Sequence, residues 1–141
     1  MTDIRLFTIA EAEETLPLVR RILLDLEVEY PRWRAAVSSY EIVAGAARAD
    51  WGETPELLAA REAVTASAER INTWLHELEQ VGCVFKGFEP PLVDFYALRE
   101  DRAVFLCWRL GEARITHWHE VDAGFGGRQP IEPELLARTG H

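Results

Sequence analysis

Leu16, Val19, Leu23, Leu26, Tyr30, Trp33, Val37 and Tyr40 fall on alternating three- and four-residue steps. On an α-helix that spacing keeps every one of them on a single stripe, as in a coiled-coil seam. Leu57, Ala60, Val64, Ser67, Ile71, Trp74, Leu78 and Val81 repeat the pattern. Two long amphipathic helices on a short connection lie antiparallel, because each must bury its stripe against the other. The first half of the chain is therefore read as a helical hairpin over residues 8–81.

The ends of both helices carry their own signals. In "FTIAEAEE", Thr8 is the N-cap and Glu11 its capping-box partner, with Phe7 and Ala12 as a small apolar staple. Glu13 and Glu14 complement the dipole at that end. Pro17 restarts or kinks the helix. The stripe stays in register across Pro31, which predicts a bend there and no domain boundary. Thr54 caps the second helix, Pro55 takes its first position and Gly82 stops it. Helix one is placed from Ile9 to Ala47 and helix two from Pro55 to Val81.

Beyond Val81 the period changes from helical to alternating. "CVFK", "LVDFYAL", "AVFLCWRL" and "RITHWH" read as short strands, separated by "GFEPP", "REDR" and "GEA". In "AVFLCWRL", Val104, Leu106 and Trp108 face one side and Phe105 and Cys107 the other. Both sets are apolar, so this strand is central and covered on both faces. The expected fold is α+β: a long antiparallel helical hairpin, a small, mainly antiparallel β-sheet over 83–119, and a Gly-rich C-terminal loop. That loop and a short helix at "IEPELLAR" occupy 120–141. With 141 residues the chain suits one domain, 1–141.

Charge narrows the partners. A formal net charge of −9 repels a phosphate backbone, which argues against nucleic acid. No apolar run is long enough for a bilayer and no basic cluster suits its surface, so no membrane partner is expected. The N-terminus lacks the pattern of a signal peptide. Cys83 and Cys107 sit among apolar residues and read as reduced, buried thiols of a cytoplasmic protein. Apolar residues off the main stripes, such as Ile22 and Leu75, widen the helix faces and suggest a homodimer.

The motifs "FTIAEAEETLP", "LVDFYAL", "LCWRLGE" and "WHEVDAGFGGRQP" together resemble the bacterial family known as domain of unknown function 2203. The resemblance covers nearly the whole chain. It implies an α+β fold with a helical hairpin and a small antiparallel sheet, and it implies no activity. Pro91 stands where the resemblance leads one to expect glycine. His117 stands where it leads one to expect an aromatic or other residue, so a His117–His119 pair is particular to this chain.

Candidate chemistry gathers in "THWHEVDAGFGGRQP". His117 and His119 share a strand face with Ile115, the geometry two imidazoles need to hold one metal. Glu120 or Asp122 would complete a two-histidine, one-carboxylate set for a divalent metal. The same pattern also describes a polar strand edge. Asp94, inside the apolar strand "LVDFY", must be paired or protonated, with His119, Arg109 and Arg128 as candidate partners. It reads either as a structural ion pair or as a catalytic group. "DAGFGGR" offers backbone N–H groups beside Arg128 for a small anionic ligand, and reads equally as a flexible loop. "HELEQ" is no zinc-protease motif, since Gln80 replaces the second histidine.

Two functions follow. In one, a small-molecule enzyme uses His119 as acid/base or metal ligand, Asp94 or Asp122 to orient it, and Arg128 to hold an anion. In the other, the hairpin is a ligand-binding or self-association module without catalysis. A shared concave pocket for the His and Asp side chains separates the two.

Overall fold

A computed structural model of the chain describes residues 4–47 and 52–135. Helix α1 runs from Ile9 to Ala47, through Pro17 and Pro31, and α2 from Pro55 to Val81. The capping box closes as its sequence requires: Glu11 N–H donates to Thr8 Oγ1 at 3.0 Å, and Thr8 N–H donates to Glu11 Oε1 at 2.9 Å. Thr54 Oγ1 likewise accepts from Leu57 N–H at 3.1 Å. Gly82 ends α2 at φ +105°, and a Cβ there would stand 3.2 Å from the Phe7 ring, so both conformation and space call for glycine.

All sixteen stripe positions named above are buried or half-buried, but the two halves of the hairpin differ. Leu16, Val19, Leu23 and Leu26 are fully buried because they meet both α2 and the sheet. Beyond Glu29 none of the described α1 residues is fully buried. There the hairpin is only a two-helix seam. At the junction the buried Glu29 accepts from Ser67 Oγ at 2.6 Å and from Arg70 at 2.9 Å. This explains a serine in an apolar stripe. The Arg70 guanidinium, with help from Ser67, holds the Glu29 carboxyl below its ordinary value against the opposing effect of burial.

Five strands follow: β1 (Val84–Phe88), β2 (Pro91–Arg99), β3 (Arg102–Arg109), β4 (His117–Glu120) and β5 (Gln129–Pro130). They form one antiparallel sheet in sequence order, with a 3-10 turn at Phe125–Gly127 before the last strand. Glu100 and Asp101, at φ 52° and 62°, make the tight β2–β3 turn. Central β3 is buried on both faces, as its sequence predicts. Val93, Phe95, Val104, Leu106, Trp108 and Trp118 face the helices and join their core. The opposite face holds Leu92, Asp94, Phe105, Cys107 and His119.

The structure differs from the sequence reading in two places. β4 begins at His117, not Arg114, so Ile115 does not share the histidine face. The Ile115 N–H donates to Glu13 at 3.0 Å, and its side chain joins the helical core. Ile22 is itself buried in that core and Leu75 packs against it, so neither is free to widen an interface. The exposed large apolar residues of α1 are Leu18, Leu24, Val28 and Ile42. Helix is present at 133–135, and the rest of the expected last helix lies outside the described residues. No helix among the described residues is long and apolar enough to cross a membrane.

Candidate functional site

Strand register assembles the site. Asp94 on β2 lies opposite Cys107 on β3, and Phe105 lies opposite His119 on β4. Alternation therefore turns Asp94, Cys107 and His119 to the face away from the helices. One donor atom from each lies within 4.8 Å of the others, and all three residues are buried.

His119 uses both ring nitrogens. Nδ1 is 2.7 Å from the Glu120 carbonyl oxygen, and Nε2 is 3.0 Å from Asp94 Oδ2. A carbonyl only accepts, so the bonding pattern assigns Nδ1 as the protonated donor. The short contact between Nε2 and Oδ2 then needs a proton of its own. Whether that proton belongs to Asp94 or to His119, the pair as a whole carries no net charge. Burial raises the Asp94 carboxyl above its ordinary value, with His119 opposing.

The second Asp94 oxygen, Oδ1, is buried without a hydrogen-bond partner. The Cys107 thiol lies beside the Asp94 carboxyl, within 4.8 Å, and the two bear on each other electrostatically. Burial, with Asp94 adding to it, pushes the Cys107 thiol up to about 12, and burial does the same for Cys83. Neither is a thiolate near neutrality unless something replaces its proton.

These groups floor a cavity of about 180 Å³, whose other walls are Lys86, Leu92, Val121, Gly124 and Phe125. The Gly-rich loop thus folds back over the strand end. Gly124, at φ +70°, allows the turn that brings Phe125 across. Lys86 sits at a bulge in β1, where pairing jumps from Phe85↔Val93 to Gly87↔Leu92. Its Nζ lies 4.8 Å from the centre of the Phe105 ring. A larger cleft of about 590 Å³ beside Phe7, Trp118 and Leu135 is mainly apolar and contains none of these donors. The smaller cavity, which holds all of them, is the better chemical candidate.

His119 and Asp94 meet as expected. His117 shares their face, yet its Nδ1 is 2.9 Å from Thr116 Oγ1 and it stands outside the donor cluster. Glu120 is paired with Arg102 and contributes only its carbonyl to the site. Asp122 is exposed in the turn after β4 and does not line the cavity. Arg128 donates to both Glu112 oxygens, at 2.8 and 2.9 Å, and lies 4.8 Å from the Phe125 ring centre. It braces the loop and does not point into the cavity.

Sequence reasoning missed Cys107 and Lys86. In the sequence Cys107 reads as a reduced, buried thiol, although alternation puts it on the face opposite Trp108. Lys86 had a plain signal: Lys and Arg total 15, and it is the sole lysine.

A family model described as an uncharacterized conserved protein, DUF2203, matches residues 5–131. The chain belongs to that family. No curated protein and no solved structure matches it.

Proposed function

We propose that this DUF2203 member is a metal-dependent small-molecule enzyme, with Asp94, Cys107 and His119 as ligands of one zinc-like divalent ion. The carrying observation is the buried donor trio with an unpartnered carboxylate oxygen, Asp94 Oδ1. A buried acceptor without a partner costs about 1–3 kcal/mol, and a cation would satisfy it. Zinc bonds of about 2.0–2.3 Å put tetrahedral donors roughly 3.3–3.6 Å apart, so a contraction of about 1 Å closes the set. Thiolate, imidazole and carboxylate together suit zinc better than magnesium or calcium.

Three protein ligands would leave one position for water or substrate, as in catalytic zinc sites. There the ion would supply Lewis acidity or an activated water. The Glu120 carbonyl holds the His119 ring by Nδ1, which leaves Nε2 as the ligating atom. Binding replaces two protons, the one shared by Asp94 and His119 and that of the Cys107 thiol.

A second reading is supported by the 3.0 Å contact itself. Without metal, Asp94 Oδ1 would exchange a proton with a ligand while His119 acts as its proton partner. Cobalt(II) separates the two. Added to metal-free protein, it is expected to give the intense near-ultraviolet band of a cobalt–thiolate bond, absent in Cys107→Ser. No such band in the parent protein would leave only the proton-transfer reading.

A further inference from the structure

We infer that Lys86 is the ligand-recognition group of this cavity and that the site takes a small oxyanion, most simply a short organic carboxylate. This rests on the proposed small-molecule site, and it supplies the ligand class. The first observation is charge. Lys86 is the one lysine or arginine among the cavity's lining residues, and Asp94, the one carboxyl there, is already engaged by His119 Nε2 at 3.0 Å. The cavity therefore offers a ligand a cation, inside a chain whose formal net charge is −9.

The second observation is position. Val84 lies opposite Asp94, so alternation along β1 turns Lys86, the chain's one lysine, to the same face, where it lines the cavity beside the bulge. Lys86 forms no salt bridge among the described residues; its ammonium rests near the Phe105 ring. Arg128, the cation the sequence favoured, is occupied by Glu112. An ammonium over an aromatic face beside a buried donor cluster can hold one end of an anion while the floor meets the other. The cavity of about 180 Å³, below the usual range of drug-sized pockets, limits the ligand to a small one.

A single lysine makes the test clean. Reductive methylation with ¹³C-formaldehyde labels Lys86 and the N-terminal amine, and the dimethylated amine keeps its charge and one donor. Zinc-loaded and metal-free protein are titrated with sodium pyruvate, and separately with sodium sulfate, by carbon-edited NMR. The Lys86 signal is expected to move saturably in the millimolar range or tighter, while the N-terminal signal stays. A response to pyruvate alone identifies a carboxylate ligand; an equal response to sulfate identifies oxyanions in general. Calorimetry on unmodified protein should show about tenfold weaker pyruvate binding in Lys86→Gln, with its melting temperature unchanged. No saturable movement with either anion, or equal affinity in Lys86→Gln, overturns the assignment. If zinc fails to bind but the Lys86 signal still responds, the metal reading falls and this one stands. If zinc binds and neither anion registers, the reverse holds.

Discussion

Trp108 and Cys107 are neighbours on β3 and point to opposite sides of one sheet. Trp108 is buried among helix residues, and its indole N–H donates to the Glu112 carbonyl at 3.1 Å. Cys107 looks into a small cavity beside a carboxylate and an imidazole, under a loop with three glycines. The helical hairpin closes the first face with an apolar layer. The second is closed by a loop that leaves space. One alternating sequence therefore separates stability from chemistry: odd positions of β2 and even positions of β3 hold the fold, and the others present reactive groups.

That division can be broken by experiment. Trp108→Ala should cost about 4 kcal/mol, since it empties a large site in the main core. Denaturant unfolding would measure it, and a loss below about 1 kcal/mol would mean that this face is not the structural one. Asp94→Ala should cost less, about 2 kcal/mol, because it strands the His119 ring without its partner. The double variant with His119→Ala should be less destabilised than the sum of the two singles, by about 1–2 kcal/mol. Strict additivity would show that the 3.0 Å contact contributes nothing. Cys107→Ser should change stability by only about 1 kcal/mol, one position away from the most sensitive residue.

Much of the helical face was legible in the sequence. The two stripes, the Thr8–Glu11 box and the Thr54, Pro55 and Gly82 signals are local, and local spacing fixes them. The site was legible only in part. Asp94 and His119 stood out because a charge in an apolar strand needs a partner. Their meeting depends on the β2–β3–β4 register, which no single segment encodes. The same limit hid Cys107, which becomes a candidate ligand only when Asp94 is set opposite it. It also misplaced Ile115: alternation was extended back through Arg114, whereas the Glu13 anchor to the Ile115 N–H, from 102 residues away, ends the strand at His117. The sequence offers Arg128 as a partner for Asp94 or a holder of an anion, whereas its partner is Glu112, in a turn that carries no signal of the pairing.

Zinc binding across two sets of variants tests the central claim most directly. Asp94→Asn, Cys107→Ser and His119→Gln each alter a donor of the buried trio, while His117→Gln, Glu120→Gln and Asp122→Asn alter the acidic and histidine residues that surround it in sequence. Equilibrium dialysis against buffered zinc, on protein purified without a histidine tag, should give one ion per chain for the parent and the second set. The first set should show affinity lower by at least tenfold, about 1.4 kcal/mol or more per donor. Equal zinc binding in all six variants, or loss confined to His117→Gln and Asp122→Asn, would contradict the Asp94–Cys107–His119 centre.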